Sequence, residues 1–520
     1  MAERFRVTYA TLSADNPQLH TEYEAGVDQA RTWLGATITG HVSSGDIEDS
    51  PIVEVTGPHD PNTVISRVRT STRRDIDDAI ARSTRAGRSW AATGWRDRLV
   101  VARRAADLIS DRSNELAALM SMENGKNRLE ALGDVEEAAD MIRYYCDQMA
   151  ANDGYDHPMA TLNPAERTRS LLRPYGVWAV ICPFNYPMAL SAGPAGAALI
   201  AGNSVVVKPS HHGAHTAAKL FECLRDAGLP DGVATLLPGG DEVGAALVAH
   251  RGVAGVTFTG SSEVGMAIFR DFSVDHPKPV MAEMGGKNPA IVSDRADLDA
   301  AALGVARSAF GFAGQKCSAC SRVYVVSEVY EEFLAKLVTV TESLVIGAPT
   351  DRDAFVGPVI DVDAVARYRE AVTHARQHGR VVTGGIELGG TDDRPGHYLA
   401  PTVVTGLPVD DRLFRTELFV PFVAVAPVVD VERGLELANA DPAGLTAGFF
   451  SRDQTEIDRF LERIEAGVVY VNRPAGATTG AWPGVQPFGG WKRSGSTGKA
   501  GGGRYYLPEF MREQSQTVVM

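Results

Sequence analysis

Cys317 is the residue of this sequence best suited to act as a nucleophile. It lies in GFAGQKCSACSR, just after a helical pattern, with Gly314 before it and the small residues Ser318 and Ala319 after it. A reactive thiolate needs a backbone that a substrate can approach closely, and nearby N–H dipoles or cations that favour the anion. The small neighbours allow the first, and Lys316 would assist the second. The pattern also allows a buried structural cysteine, because a free cysteine behaves as a small hydrophobic residue.

Cys317 and Cys320 also form a CxxC pair, a pattern known from metal sites and from redox proteins. A metal site normally needs a second pair or histidines at defined spacing, and no second CxxC occurs in the chain. Redox pairs usually follow the first strand of a thioredoxin-like unit. The sequence therefore predicts no metal site and leaves disulfide chemistry as a minor alternative.

Two polar residues at the ends of apolar segments would suit a site built around this thiol. Glu283, in VMAEMGGKNP, precedes two glycines that let a flat ligand approach the backbone. Its carboxylate could act as a general base toward water, or it could be a solvated charge at a strand end. Asn185, in CPFNYP, lies between prolines in a stretch without charges. A rigid amide there is a good oxyanion donor, although a helix-capping role fits the local pattern too.

Signals for nucleotide binding are present but weak. In FTGSSEVG, Gly260 and Gly265 flank a turn into a helix, where backbone N–H groups suit a diphosphate. Lys208 ends the strand SVVVK, where its ammonium could reach a ribose hydroxyl or remain solvated. KRSGSTGKAGGG is not a P-loop, because Arg493 stands where the first glycine belongs and Ala500 replaces Ser or Thr.

The elements that would position these residues alternate between strands and helices. Five apolar strands are VWAVICP, SVVVKPS, ATLLPG, GVTFTG and PVMAEMGG, and helix-length segments near 187–201, 214–227, 241–250 and 262–271 separate them. This alternation predicts a parallel sheet covered by helices on both faces.

A second α/β block follows the first. Its predicted strands are 290–294, SRVYVVS, FVAVAPVV and AGVVYVN, and its predicted helices are 297–313, 328–344 and 454–465. Ahead of both blocks, 76–95, 99–123 and 128–150 are predicted as amphipathic helices, whereas the first 60 residues or so show no periodic signal.

The stretch from Pro174 to Val207 has no charged residue and is long enough to span a bilayer. However, Pro183, Pro187 and Pro194 interrupt it. We therefore interpret it as a strand, a helix of small residues and a second strand, all buried in a globular protein.

Composition excludes several classes of protein. With 51 Lys+Arg against 65 Asp+Glu, the net charge is −14, and an acidic chain is a poor binder of nucleic-acid backbones. Five scattered cysteines in 520 residues do not form a disulfide framework, which favours a reducing compartment. The N-terminal residues MAERFRVTYATLSADNPQ lack the apolar segment of a secretory signal. We expect a cytoplasmic protein.

Taken together, the motifs CPFNYP, VVVKPS, FTGSSEVG, AEMGGKNP, GQKC, TELF and PFGG resemble the aldehyde dehydrogenase superfamily. They occur in its order and spacing from about residue 60 to the end. GFAGQKCSACSRVYV and TGAWPGVQPFGGWKRSGSTGKAGGGRYYL are especially similar to the branch that oxidises glutamate semialdehyde, the open form of pyrroline-5-carboxylate.

The resemblance implies a mechanism and a set of site residues. Cys317 would attack the aldehyde, Asn185 and the Cys317 N–H would stabilise the oxyanion, and Glu283 would activate water to release the acid. The cofactor would be NAD, with NADP possible, bound by Phe184, Lys208, Ser210, His211, Gly260, Ser261, Gly265, Met284, Gly285, Glu417 and Phe419. The substrate-binding residues would be Glu137, Lys316, Ser318, Gly480, Ala481 and Phe488.

Three positions depart from the pattern of the family. His211 stands where NAD-preferring relatives often carry Glu, which reduces repulsion of a 2′-phosphate. Val420 replaces a usual glycine after TELF. The segment NRPAGATTGAW has a few extra residues ahead of Thr479, next to the expected substrate anchor.

The predicted fold is α/β, with a Rossmann-type cofactor domain, an α/β catalytic domain and a small β oligomerisation arm. The cofactor domain would comprise 1–153 and 174–285, the catalytic domain 286–499, and the arm 154–173 and 500–520. By resemblance, the strand-like tail QSQTVVM would pair across a subunit interface, which predicts a homodimer or an assembly of dimers.

The sequence thus predicts NAD(P)-dependent oxidation of an aldehyde to an acid, with glutamate semialdehyde as the expected substrate. One alternative is a dehydrogenase for another aldehyde. Alternatives of a different class are a non-catalytic structural relative and a CxxC redox protein.

Overall fold

The computed structural model describes residues 16–40, 50–474 and 481–520. Its helices are α1 (Pro17–Arg31), α2 (Arg73–Ala92), α3 (Trp95–Asp111), α4 (Ser113–Asn124), α5 (Arg128–Ala151), α6 (Ala189–Ile200), α7 (Ala214–Asp226), α8 (Asp241–Val248), α9 (Ser262–Asp271), α10 (Leu298–Phe310), α11 (Tyr330–Glu342), α12 (Val362–His378), α13 (Val431–Asn439) and α14 (Gln454–Arg463).

Its strands are β1 (Ala36–Ile38), β2 (Ile52–Thr56), β3 (Val64–Arg69), β4 (Asp156–Pro158), β5 (Glu166–Pro174), β6 (Val177–Ile181), β7 (Ser204–Lys208), β8 (Ala234–Leu236), β9 (Gly255–Gly260), β10 (Val280–Met284), β11 (Asn288–Val292), β12 (Cys320–Val326), β13 (Arg380–Thr383), β14 (Thr402–Thr405), β15 (Phe422–Val428), β16 (Ala443–Gly444), β17 (Thr446–Phe450), β18 (Val468–Val471), β19 (Trp491–Lys492) and β20 (Met511–Val519).

The first large sheet contains five parallel strands in the order β10-β9-β6-β7-β8. Helices cover both faces of this sheet, so its strands are buried on both sides and consist of nearly continuous apolar runs rich in Val. The charge-free stretch folds as β6–α6–β7, as predicted, and α6 is buried almost throughout. Gly196 is required in α6, because a Cβ there would lie 2.8 Å from Ile142 Cγ1 of α5. Among the described residues, no helix is both long enough and apolar enough to cross a membrane.

The second large sheet contains seven strands in the order β13-β14-β15-β12-β11-β17-β18. Only β13, at one edge, runs antiparallel to its neighbour. Its core is a continuous cluster of apolar side chains from these strands and from α10 to α14. The chain passes from β10 of the first sheet to β11 of the second through residues 285–287 alone. The two sheets, each parallel or nearly so, confirm the predicted α/β class.

The C-terminal strand finds its partner within its own chain. β20 pairs antiparallel with β5 in continuous register from Met511↔Pro174 to Val519↔Glu166, and β4 pairs with the other edge of β5. Most side chains of β20 are exposed. β5 occupies one edge of β20, and the expectation that the tail pairs across a subunit interface stays a prediction for its other edge.

Two expectations about helices also need correction. The segment 99–123 is not one helix, because the non-helical backbone of Arg112 separates α3 from α4. Arg112 instead directs its guanidinium to Asp226 of α7 at 2.6 Å. The supposedly non-periodic N-terminal region contains α1, whose buried stripe packs against α4.

Candidate active site

A cavity of about 430 Å³ brings most of the predicted site residues together. Its wall is built from the carboxyl ends of β9 and β10, the turn before α6, α5, and the loops around Cys317 and Glu417. The predicted residues that line it are Glu137, Phe184, Asn185, Gly260, Ser261, Glu283, Met284, Gly285, Cys317, Ser318, Glu417, Phe419, Ala481 and Phe488.

The segment that delivers Cys317 has an unusual backbone. After α10 ends, Phe312, Ala313 and Gly314 adopt positive φ values of 48°, 52° and 72° in succession. A Cβ at Gly314 would overlap the carbonyl group of Val420, so only glycine fits here. The surrounding structure must hold this conformation, because non-glycine residues with positive φ are strained.

Asn288 fixes the backbone on both sides of the nucleophile. Its Nδ2 donates to the carbonyl oxygen of Cys317 at 2.6 Å and to that of Ala319 at 2.9 Å, and its Oδ1 accepts the N–H of Thr446 at 3.0 Å. One side chain thus ties the Cys317 turn to β17.

Gln315 and Asn185 connect the same turn to the loop before α6. Asn185 Nδ2 donates to the carbonyl oxygen of Gln315 at 3.1 Å. The fully buried Gln315 side chain accepts the N–H of Ile360 at 2.8 Å and donates to the carbonyl oxygens of Phe312 and Pro358. Asn185 is held beside the nucleophile segment with a second amide hydrogen available to the cavity.

Burial, followed by the nearby carboxylates of Glu417 and Glu283, raises the pKa of the Cys317 thiol to about 12. The backbone N–H groups of Ser318 and Cys317 act in the opposite direction. The thiol of the free site is therefore protonated at neutral pH. A negative charge on the Cys317 sulfur, or on an oxyanion beside it, therefore depends on backbone N–H and side-chain amide donors for its stabilisation.

Glu283 is the penultimate residue of β10 and lines the cavity. Its Oε2 accepts the N–H of Gly490 at 3.0 Å. Burial raises the pKa of this carboxyl to about 8, and the hydrogen bond from Gly490 partly offsets that rise. A carboxylate with such a pKa is a competent general base near neutral pH.

Glu417 is attached to the turn between β10 and β11. Its Oε1 accepts the N–H of Gly286 at 3.1 Å, and a Cβ at Gly285 would collide with its carboxylate. Burial raises the pKa of Glu417 to about 7. Gly285 and Gly286, which were predicted to let a ligand approach the backbone, also leave room for the Glu417 carboxylate.

The turn from β9 into α9 fits an anionic ligand. Ser261 is the N-cap of α9 and accepts the N–H of Val264 at 3.3 Å, which leaves its hydroxyl hydrogen for an oxygen acceptor. Gly265 lies in the first turn of α9, where a Cβ would lie 2.6 Å from Met284 Sδ. Gly265 therefore acts through close packing rather than by lining the cavity.

Lys208, Ser210 and His211 lie beyond the cavity wall, at the end of β7. Lys208 Nζ donates to the carbonyl oxygen of Gly239 at 3.1 Å, and burial lowers its pKa. His211 Nε2 is buried and has no hydrogen-bond partner among the described residues. Burial, followed by the charge of Lys208, lowers the pKa of His211, so its imidazole is neutral at pH 7. An unpaired ring nitrogen beside an amine fits a polar group such as a ribose.

The predicted substrate residues divide into three groups. Glu137, Ser318, Ala481 and Phe488 line the cavity. Lys316 instead forms a buried ion pair with Glu130 of α5. Gly480 lies outside the described residues.

Three residues of the site were not predicted from the sequence. Asn288 stands in the motif AEMGGKNP with Glu283, and Gln315 stands in GQKC with Cys317, so these motifs could have identified both. Arg367 of α12 lines the cavity and donates to the carbonyl oxygen of Leu418 at 3.2 Å, but no pattern connects it to the site.

The CxxC pair does not form a disulfide or a metal site in this structure. Both thiols are free, and Cys320 is buried in β12 with its Sγ toward the carbonyl oxygen of Arg322. Within residues 16–40, 50–474 and 481–520, no group of His, Cys, Asp or Glu is arranged to hold a metal ion.

A framework of two α/β sheets with a cysteine, an acid and an amide around one cavity is the arrangement expected of an aldehyde-oxidising enzyme. The chain belongs to the aldehyde dehydrogenase family, whose model matches residues 46–516. This match confirms the predicted enzyme class, an aldehyde oxidoreductase.

Particular relatives are similar over nearly the whole chain. A 1-pyrroline-5-carboxylate dehydrogenase of Geobacillus sp. is 38% identical over 477 residues, which is 90% of each chain. The 1-pyrroline-5-carboxylate dehydrogenase 2 of Bacillus subtilis is 37% identical and covers 94% of this chain and 93% of its own. A 1-pyrroline-5-carboxylate dehydrogenase structure from Thermus with bound NAD is 32% identical, with a TM-score of 0.91 and 97% coverage of both chains.

Proposed function

We propose that this enzyme oxidises L-glutamate γ-semialdehyde, the open form of 1-pyrroline-5-carboxylate, to glutamate with NAD. The observation that carries the proposal is the convergence of Cys317, Asn185 and Glu283 on the cavity that Ser318 and Ala481 also line. The similarity to the Geobacillus, Bacillus and Thermus enzymes supports the substrate and the cofactor.

Cys317 would begin the reaction as the nucleophile. The thiol passes its proton to solvent water as its Sγ bonds to the aldehyde carbon, and the carbonyl electrons move to oxygen. The Asn185 amide and the Cys317 backbone N–H would stabilise that oxyanion, and loss of one such donor costs ~10²–10³ in rate. NAD, when bound, supplies the acceptor for the hydride of the aldehyde carbon.

Glu283 would complete the cycle by hydrolysis. Its carboxylate takes a proton from water, the resulting hydroxide adds to the acyl carbon, and the carbon–sulfur bond breaks. The acid leaves, and the proton held by Glu283 returns to the departing thiolate, which restores both the thiol and the carboxylate. Relatives that transfer the acyl group to coenzyme A usually lack this acid, so Glu283 favours water as the acceptor.

The cofactor would lie along the carboxyl ends of the first sheet. Ser261 and the start of α9 suit the diphosphate, Lys208 and Glu417 the two riboses, and Phe419 the nicotinamide side of the cavity. Phe184, Ser210, Gly260, Met284 and Gly285 would complete the surface, and Gly265 would support it by letting α9 pack closely against Met284. Because His211 is neutral and not an acid, we propose that NADP is accepted less well than NAD but is not excluded.

The substrate would place its amino-acid end away from Cys317. Ser318 and the backbone N–H of Ala481 would bind the carboxylate together with Gly480, and Glu137 would meet the ammonium. Lys316 would act through its pair with Glu130, and Phe488 would pack against the carbon chain.

A panel of aldehydes tests the proposal through NADH production. We expect glutamate semialdehyde to exceed propanal, hexanal and benzaldehyde in kcat/KM by large factors, because a site built to bind polar groups rejects analogues that lack them. Equal efficiency with hexanal or benzaldehyde would reject the substrate and leave the dehydrogenase chemistry in place.

For the whole molecule we propose the predicted division into a cofactor domain (1–153 and 174–285), a catalytic domain (286–499) and an arm (154–173 and 500–520). The arm would join two copies into a homodimer or an assembly of dimers. Its support is the position of β20 at the edge of the sheet β20-β5-β4. The five free thiols favour a cytoplasmic location.

A further inference from the structure

Tyr186 lines the cavity but has no role in the catalytic steps proposed above. It follows Asn185 directly, lines the cavity and is only 7% exposed. Its hydroxyl is buried and has no hydrogen-bond partner among the described residues. A buried unpaired hydroxyl is costly, so a site that keeps one invites a ligand group that completes it.

The ring of Tyr186 is held in place by a buried cation. Lys126 Nζ lies 3.5 Å from the ring centroid and forms a 2.8 Å ion pair with Asp134, and both partners are fully buried. Asp134 also accepts the N–H of Ala189 at 2.8 Å, which attaches the pair to the start of α6. The hydroxyl therefore projects from a rigid position. A cation on the ring face draws electron density from the ring and makes the O–H a better donor.

Three carboxylates act electrostatically on Tyr186: Glu130, Glu137 and Asp134. Glu130 pairs with Lys316 and Asp134 with Lys126, whereas Glu137 lines the cavity. The apolar residues that line the same cavity include Met141, Ala189, Leu190, Pro194 and Phe488. A hydrocarbon chain in the cavity would leave the hydroxyl unpaired, whereas a chain that carries an oxygen acceptor would complete its hydrogen bond.

A second tyrosine of the wall provides the contrast. The hydroxyl of Tyr145 accepts the backbone N–H of Gly502 at 2.9 Å. The oxygen of Tyr145 is therefore fixed against the 500–503 turn, whereas the hydroxyl of Tyr186 has no partner among the described residues.

We propose that Tyr186 is a specificity-determining residue whose hydroxyl donates a hydrogen bond to a substrate oxygen remote from the aldehyde. The cavity then selects aldehydes that bear an oxygen acceptor on their chain over hydrocarbon aldehydes of equal length. This inference rests on the proposed function, in which the α-carboxylate of glutamate semialdehyde is such an acceptor.

The test compares kcat/KM for glutamate semialdehyde and for pentanal, which has the same number of carbons. Tyr186→Phe keeps the ring under Lys126 and removes only the hydroxyl. We expect the ratio of the two efficiencies to fall by ~10-fold or more, through loss with the semialdehyde and little change with pentanal. The melting temperature should stay close to that of the wild type.

Tyr145→Phe is the matched control, because it removes a hydroxyl that already has a backbone partner. It should lower the melting temperature and change both efficiencies by the same factor. A constant ratio in Tyr186→Phe would overturn the proposal. If both efficiencies fell together, the hydroxyl would act at the reacting carbonyl, and if neither changed, it would touch no substrate.

Failure of the proposed function gives a different result. Wild-type enzyme that oxidises pentanal but not glutamate semialdehyde would reject that substrate. The ratio for succinic semialdehyde against butanal, measured in wild type and Tyr186→Phe, then tests the hydroxyl with another carboxylate-bearing aldehyde. An unchanged ratio there would also overturn the role of Tyr186.

Discussion

At the scale of single residues, the two cysteines of the CxxC pair should behave differently. Cys317→Ala removes the nucleophile, so we expect no detectable NADH production but retained NAD binding, measured by calorimetry. Cys320→Ala changes only a buried thiol of β12 and should keep most of the activity. Comparable loss in both variants would favour a redox role for the pair.

Glu283→Gln should separate the two halves of the reaction. The amide cannot take a proton from water, so hydrolysis should slow more than the first turnover. Stopped-flow measurement should show a burst of NADH followed by a slow steady state. If the first turnover slows by the same factor and no burst appears, Glu283 also serves the activation of the thiol.

The pH profile provides an internal control for that variant. Because burial raises the pKa of Glu283 to about 8, its basic form becomes more abundant as the pH rises through that value. Steady-state kcat limited by hydrolysis should therefore rise up to about pH 8 and level off above it. Glu283→Gln should lose this rise.

At the scale of elements, the turn before Cys317 is the part most sensitive to a small change. Gly314→Ala adds a methyl group at positive φ and against the Val420 carbonyl. We expect a displaced nucleophile, with kcat/KM lower by ~10–100-fold, since a shift of about 1 Å can cost that much. Thermal unfolding should also show a clear loss of stability.

Gly228→Ala is the control for backbone strain. Gly228 has φ of 91°, but a Cβ there would meet nothing within 4 Å. This variant should lose about 1 kcal/mol of unfolding free energy and keep its kcat/KM. If both variants kept full activity, the conformation of the Cys317 turn would not matter for catalysis.

The same turn shows what could be predicted from the sequence and what could not. The strands and helices around it follow from apolar runs and their spacing, and the chemistry of Cys317, Glu283 and Asn185 follows from local motifs. The tether of Asn288 to Thr446 joins residues 158 positions apart, and no local pattern encodes such a contact. The break at Arg112 has no local signal for a similar reason, because its partner Asp226 lies on a distant helix.

At the scale of the whole molecule, deletion of most of the C-terminal strand β20 tests whether the tail supports assembly. Deleting residues 514–520 would expose the edge of β5 that they pair with, at 166–171, and leave its backbone groups without partners. Light scattering should then show monomers or aggregates in place of the native mass. A length-matched chain with Gly and Ser at 514–520 separates strand pairing from chain length. A truncated enzyme with unchanged mass would show that the tail does not support assembly.

The short link from β10 to β11 has a practical consequence for rebuilding this enzyme from parts. Glu283 lies one residue before the end of β10, Asn288 begins β11, and only residues 285–287 join the two strands. Asn288 donates a hydrogen bond to the backbone carbonyl of Cys317. The short segment from Glu283 to Asn288 therefore fixes the position of the acid relative to the thiol. If the chain were cut at residues 285–287, or a loop were inserted there, the distance between Glu283 and Cys317 would no longer be fixed, even if both fragments folded. Cuts for fragment complementation or circular permutation therefore belong elsewhere, for example in the exposed segment 390–393.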